Sequence, residues 1–101
     1  MIVRVSERAK YNRNRIADYI LRKFGEEALL DFRKEYKRTK RLLAENPGIG
    51  SEEANLSNDE HKYLFTVING LSIMLYRVAG DTVYIVDMWD TRQQPPTIVR
   101  L

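Results

Sequence analysis

The sequence predicts an α+β fold, in which a two-helix hairpin packs on a small, mainly antiparallel sheet of four strands in the order β-αα-βββ. Two amphipathic helical stretches are separated by a single glycine, and beyond residue 60 the apolar residues change from helical spacing to strand-like runs. The dipeptide Asn69-Gly70 divides two of these runs, and both positions of such a turn tolerate positive φ. The length of 101 residues predicts a single domain over residues 1–101.

The first strand and the first helix are expected to follow each other directly. Residues 2–5 alternate apolar side chains with Arg4, and Ser6 offers a hydroxyl that would cap the free amides of the helix. Asn12 and Arg13 leave a polar gap in the apolar side of that helix, and Gly25 is expected to end it in a left-handed conformation. Helical spacing predicts the buried side as Ala9, Ile16, Ile20 and Phe24.

The second helix is expected to begin at Glu26-Glu27, where negative charge suits the positive end of the helix dipole. It should end at "NPGIG", residues 46–50, because proline cannot continue the hydrogen-bond ladder and two glycines are present there. One intervening glycine forces the two helices to turn back on each other. The predicted buried stripe consists of Leu29, Phe32, Tyr36, Thr39 and Leu43.

The last part of the chain predicts a meander of three strands. The polar, acidic segment 51–60 should be a loop, and strands are expected at residues 61–68, 71–78 and 82–89, with the second turn at residues 79–81. Apolar residues occur on both faces of these strands, so the face away from the helices is not expected to be fully polar.

Composition excludes several classes of site. With no cysteine, the chain has no disulfide, no thiolate zinc site and no thiol nucleophile. No apolar run approaches the ~18 residues that a membrane span requires, and the first ten residues do not form a signal peptide. We therefore expect a cytoplasmic protein without a membrane partner, metal or cofactor.

Charge is concentrated at one place in the second helix. The chain has 17 Lys and Arg against 14 Asp and Glu, and residues 33–41, "RKEYKRTKR", carry six cationic residues and one acidic residue. Like charges four residues apart repel on a helix, and an anionic partner would relieve that repulsion. The cationic candidates are Arg33, Lys37, Arg38 and Arg41; the alternative is an ordinary solvated helix face.

Five segments, in this order, resemble the RelE/ParE superfamily of bacterial toxins from type II toxin–antitoxin modules, some of which stabilise plasmids. The resemblance spans nearly the whole chain, and the individual segments gain specificity from their order and spacing. The segments are "VSERA" (5–9), "ADYILRKFGEEAL" (17–29), "LLAENPGIG" (42–50), "LYRV" (75–78) and "VYIVDMWDTRQQP" (83–95).

The resemblance implies two kinds of activity. RelE-like members are metal-independent endoribonucleases that cut messenger RNA on the ribosome, whereas ParE-like members poison DNA gyrase by binding. RNA cleavage requires a base, a proton donor and cations around the phosphate. Against the nuclease pattern of the family, the candidate catalytic residues here are His61, Lys62, Arg77 and Arg92.

The nuclease pattern is incomplete in this sequence. Residues 93–101, "QQPPTIVRL", contain neither the tyrosine nor the histidine that the nucleases carry in their tail, and segment 51–60 is acidic where nucleases are usually basic. Without a tail partner, Arg92 would pair with Asp90 or with the second helix, or it would contact phosphate or an acidic partner. Trp89 is expected in the core, with anchoring of a partner as the alternative role.

The sequence therefore favours a ParE-like toxin that acts by binding. The resemblance implies an acidic, partly disordered antitoxin as its partner, contacting Arg33, Lys37, Arg38, Arg41, Trp89 and Arg92. It implies DNA gyrase or the ribosome as the target, and either a homodimer or a hetero-oligomer with the antitoxin. The alternatives are a ribosome-dependent mRNA interferase with a rearranged site and a non-toxic paralogue that binds an antitoxin.

Overall fold

The computed structural model describes residues 1–58 and 61–91, and within them two helices cover one face of a sheet. The first strand is followed by both helices and then by the remaining strands. The elements are β1 (Ile2–Val5), α1 (Glu7–Phe24), α2 (Glu26–Glu45), a 3-10 turn (Pro47–Ile49), β2 (Ser51–Glu52), β3 (Leu64–Ile68), β4 (Ser72–Ala79) and β5 (Thr82–Asp90).

The sheet has five strands in the order β1-β5-β4-β3-β2, and only β1 and β5 pair in parallel. The α+β class and the β-αα-βββ order are confirmed, but the expected count of four strands is wrong by one. The additional strand, β2, lies in the segment predicted as a loop, where Ser51 pairs with Phe65 and Glu52 with Leu64. The local sequence of these two polar residues has no strand pattern. They form a strand because their backbones pair with β3.

The start of α1 is fixed by Ser6 as expected. The Ser6 hydroxyl accepts a hydrogen bond from the Ala9 amide at 3.0 Å and donates one to the Val86 carbonyl at 2.9 Å, so the cap also ties the helix to β5. The prediction that Phe24 is buried is wrong, since it is 54% exposed. Phe24 is the last residue of α1, and its ring contacts the Tyr19 ring edge-on at 6.3 Å.

Gly25 makes the corner between the helices with φ 92° and ψ −179°. The positive φ was expected, but ψ is extended and not that of a left-handed helix. Beyond the corner, the predicted buried stripe of α2 is confirmed: all five of its residues are buried, namely Leu29, Phe32, Tyr36, Thr39 and Leu43.

Side chains from both faces of the sheet form core clusters. The main cluster lies between helices and sheet and includes Ile20, Phe32 and Tyr76. Because side chains alternate along a strand, Leu75 and Trp89 point to the opposite face, where they pack with Tyr63 and partly buried Leu56. The expectation that the second face is not fully polar is confirmed, and Leu56, from the segment between β2 and β3, covers part of it.

The turn between β3 and β4 has the expected conformation. Asn69 has φ 53° and Gly70 φ 68°, and the Leu71 amide donates to the Ile68 carbonyl at 2.9 Å. Positive φ at both central positions is the geometry that matches strand twist in a two-residue hairpin. Neither of the described helices is long and apolar enough to cross a membrane.

Candidate partner-binding surface

The outward side of α2 carries a stripe of cations. Arg33, Lys37 and Arg41 are exposed and lie four residues apart, on the side away from the buried stripe. A spacing of eight residues in an α-helix places Arg33 and Arg41 roughly 12 Å apart along the axis. We call Arg33, Lys37, Arg38 and Arg41 the α2 cationic surface.

Most of the charge on this surface is unpaired. Arg38 forms an ion pair with Glu35 at 3.6 Å, but the side chains of Arg33, Lys37 and Arg41 form no ion pair or hydrogen bond with any described residue. These three like charges form two i,i+4 pairs, and each pair destabilises the free helix by a few tenths of a kcal/mol. A partner with carboxylates at matching positions would remove this repulsion and gain charge-assisted hydrogen bonds.

Contacts of Tyr36 hold the helix that presents these cations against α1. Tyr36 is buried, its ring stacks on Phe32 at 6.5 Å, and its hydroxyl accepts a hydrogen bond from Arg13 at 3.3 Å. The Lys40 ammonium lies 4.6 Å from the centre of the same ring. Arg13, expected in a polar gap of α1, therefore helps to position α2 and the cationic surface on it.

A groove lies beside the exposed end of α1. Its volume is about 240 Å³, and it runs between the C-terminal half of the helix and the turn from β3 to β4. Phe24 and Leu71 are 54% and 40% exposed on its walls, so apolar side chains line the groove. The lining residues are Ile16, Tyr19, Ile20, Phe24, Gly70, Leu71, Asp90 and Thr91.

Comparison with known proteins identifies the family. The family described as "ParE toxin of type II toxin-antitoxin system, parDE" matches residues 3–95. The chain belongs to the ParE toxin family. It is thus a toxin of the type II toxin–antitoxin class, and the resemblance to the RelE/ParE superfamily is confirmed.

A solved structure supports the fold of this ParE-family toxin. The chromosomal ParDE toxin–antitoxin system from P. aeruginosa matches with a TM-score of 0.69 at 17% sequence identity, covering 89% of this chain and 95% of that chain. At this identity the likeness concerns the fold. No curated protein matches the sequence of the toxin significantly.

The structure places three of the four nuclease candidates at one end of the toxin's sheet. His61 and Lys62 precede β3, and Arg77 follows Tyr76, which pairs with the first residue of that strand. Each has a neighbour of its own: Lys62 forms an ion pair with Glu52 at 3.6 Å, and His61 contacts the Tyr63 ring edge-on at 6.1 Å. The Arg77 guanidinium lies 4.6 Å from the centre of the Tyr84 ring.

The fourth candidate, Arg92, lies outside the described residues, as does its expected pairing with Asp90. Thr91, the last described residue, lies at the other end of the sheet from His61, and its amide donates to the Leu71 carbonyl at 3.0 Å. The catalytic roles of all four residues stay predictions.

Trp89 is buried in the toxin, with 5% of its surface exposed. Its ring packs with Tyr63 and Leu75 on the sheet face away from the helices. The core role expected for Trp89 is therefore confirmed. Its second expected role, as an anchor for a partner, stays a prediction.

Sequence reasoning missed a buried carboxylate in β5. The Asp87 side chain is 1% exposed and accepts hydrogen bonds from Asn12 at 2.7 Å, from Arg8 at 3.2 Å and from the Met88 amide at 2.7 Å. The signal was present as a lone acidic residue inside an apolar strand, opposite the polar gap of α1. No group of three or more histidines and acids within the described ranges could hold a metal ion.

Proposed function

We propose that this toxin is held inactive by an acidic antitoxin segment that binds the α2 cationic surface. The observation that carries the proposal is the row of exposed cations Arg33, Lys37 and Arg41, which have no partner within residues 1–58 and 61–91. A guanidinium accepts a carboxylate in a two-point contact, so a segment with acidic residues at matching spacing suits this row. Apolar residues of the same antitoxin would enter the groove beside Phe24.

We further propose that toxicity results from binding to DNA gyrase in the cytoplasm. Membership of the ParE family supports this target, and so does a tail sequence that lacks the tyrosine and histidine of the nucleases. The separate neighbours of Lys62, His61 and Arg77 favour structural over catalytic roles for these side chains.

The antitoxin contact is tested with the protein encoded by the small reading frame adjacent to the toxin gene. The triple variant Arg33→Glu, Lys37→Glu, Arg41→Glu should bind it about 100-fold more weakly than the parent toxin, because reversal replaces three favourable pairs with repulsion. Affinity is measured by isothermal titration calorimetry at two salt concentrations, and the difference should shrink at high salt.

The matched control reverses three exposed cations of α1: Lys10→Glu, Arg15→Glu and Arg22→Glu. This variant changes the net charge of the toxin by the same amount. An equal loss of affinity in both triple variants would mean that the antitoxin is attracted by the overall charge of the toxin and not by the α2 cationic surface. Failure of the parent toxin to bind the adjacent gene product would remove the proposed partner altogether.

The target is tested by two assays on the purified toxin. We expect inhibition of gyrase supercoiling and intact messenger RNA on stalled ribosomes. Cleavage of that message, abolished by alanine at His61, Lys62, Arg77 or Arg92, would establish the nuclease alternative instead. Overexpression without growth arrest would indicate a non-toxic paralogue.

A further inference from the structure

Three side chains on the sheet face away from the helices form a second cationic site. Arg4 of β1 pairs in register with Tyr84 of β5, and Tyr84 pairs with Arg77 of β4. Their sequence neighbours Val3, Val5, Tyr76, Val83 and Ile85 all pack in or against the cluster under the helices. Because side chains alternate along a strand, Arg4, Tyr84 and Arg77 point to the opposite face.

The two arginines of this site lack anionic partners. Among the described residues, the side chains of Arg4 and Arg77 form neither an ion pair nor a hydrogen bond. Tyr84 holds the Arg77 guanidinium by a cation–π contact of 4.6 Å, and two strand spacings separate the backbones of Arg4 and Arg77 by about 10 Å. A cation stacked on an aromatic ring keeps its N–H groups free at the edge, where a carboxylate binds.

A strip of exposed apolar residues connects this site with α2 across the edge of the sheet. The Met1 nitrogen donates to the Ala44 carbonyl at 2.9 Å, so the start of β1 lies against the end of α2. Leu42, Met1 and Ile2 are 37%, 45% and 48% exposed. Ile2 lies on the same face of β1 as Arg4, and Leu42 follows Arg41 of the α2 cationic surface.

We propose that the acidic segment bound to the α2 cationic surface continues over the β1 edge and places a second group of carboxylates on Arg4 and Arg77. Its apolar residues cover Leu42, Met1 and Ile2 on the way. The inference rests on the proposed antitoxin function and adds the path of the segment and its second anchoring point. The segment thereby holds the toxin from both faces.

The chemistry of the surface favours a protein segment over a nucleic acid. Tight binding to nucleic acid requires several phosphate contacts, about six to ten in strong cases, and this face offers only two unpaired arginines among the described residues. Arginine and tyrosine beside exposed apolar side chains are typical of protein interfaces.

The test uses the double variant Arg4→Ala, Arg77→Ala and the protein from the adjacent small reading frame. We expect about tenfold weaker binding, mainly through faster dissociation, because two charged contacts of an already bound segment are lost. Arg15→Ala is the matched control: this arginine also stacks on a tyrosine, Tyr11, at 5.8 Å, but lies on α1. It should leave the affinity unchanged.

Folding is checked by circular dichroism and thermal unfolding. If the double variant does not fold, the single variant Arg4→Ala replaces it, because the Arg4 side chain has no ion pair or hydrogen bond within the described ranges. That variant should lose about threefold in affinity, and unchanged binding would overturn the proposal.

The measurements distinguish failure of this inference from failure of the proposed antitoxin function. Unchanged affinity in the double variant, together with a loss in the α2 triple variant, would overturn the inference and leave the antitoxin function intact. No binding by the parent toxin would remove the antitoxin function and this inference with it. If the parent toxin binds a 20-nucleotide single-stranded DNA and the double variant does not, while antitoxin binding is unchanged, the site belongs to nucleic acid and the inference is overturned.

Discussion

At the scale of single residues, Tyr76 joins the turn after α2 to the centre of the sheet. Its side chain is fully buried, and its hydroxyl donates to the Pro47 carbonyl at 2.8 Å and accepts from the Gly50 amide at 2.9 Å. Gly50 has no room for a side chain, since a Cβ would lie 2.5 Å from the Tyr76 hydroxyl and 2.8 Å from the Phe65 carbonyl. Burial raises the pKa of Tyr76 above 10.0, although the Gly50 hydrogen bond lowers it in part.

Tyr76→Phe should reduce the free energy of unfolding by about 1–2 kcal/mol at pH 7, because it leaves a buried donor and acceptor without their partner. The raised pKa means that the neutral hydroxyl stabilises the folded state fully below the unfolded pKa of ~10, and that this contribution is lost as pH rises through the folded pKa. The difference between parent and variant in urea unfolding should therefore narrow above pH 10.

The control for this prediction is Tyr11→Phe, which removes the hydroxyl of a tyrosine that is 58% exposed. It should change neither the stability at pH 7 nor its pH dependence. A difference between parent and Tyr76→Phe that stays constant up to pH 11 would contradict the assignment of the alkaline loss to Tyr76.

At the scale of elements, the corner between α1 and α2 decides how the two helices pack. One residue reverses the chain, and its φ of 92° with ψ of −179° belongs to a region that is essentially restricted to glycine. The corner places the buried stripe of α2 against α1 and the sheet, and so turns the α2 cationic surface to the outside.

Gly25→Ala should destabilise the fold by about 1–3 kcal/mol because of this backbone conformation. A Cβ at Gly25 would meet no atom within 4 Å, so the cost is conformational and not steric. Gly48→Ala is the matched control, since Gly48 also has open space but lacks a positive φ. Equal unfolding midpoints of the two variants in thermal denaturation would refute the argument.

At the scale of the whole molecule, Asp87 connects the beginning and the end of the described chain. Leu75 pairs with Asp87 but Tyr76 pairs with Ile85, so β5 carries one extra residue, Val86, opposite β4. Such a bulge changes the direction of the strand's side chains. Here it accompanies the turning of Asp87 toward α1, where Arg8 and Asn12 bind it.

Asp87→Ala should lower the free energy of unfolding by about 2 kcal/mol, less than the ~3–5 kcal/mol of a fully buried pair because the Arg8 side chain is 43% exposed. The comparison is Asp18→Ala, which removes an exposed ion pair with Arg22 and should cost about 0.5 kcal/mol or less. Denaturant unfolding measures the loss in free energy of unfolding for both variants. Equal losses would mean that the buried contacts of Asp87 stabilise the fold no more than an exposed ion pair does.

Local features of the sequence by themselves determined both helices, the buried stripe of α2 and the turn at Asn69-Gly70. Helical period and the tolerance for positive φ are properties of a few neighbouring residues, so they can be read without the fold. The exposure of the α2 cationic surface follows from the same period, because a buried stripe leaves the other side of the helix to solvent.

Only the tertiary structure decided the strand β2, the exposure of Phe24, the partners of Asp87 and the meeting of Arg4, Tyr84 and Arg77. These depend on residues that lie far apart in the chain, as when β1 joins the sheet beside β5. Strand order and register arise from packing over the whole molecule, and the local sequence of a strand does not determine which strand it pairs with.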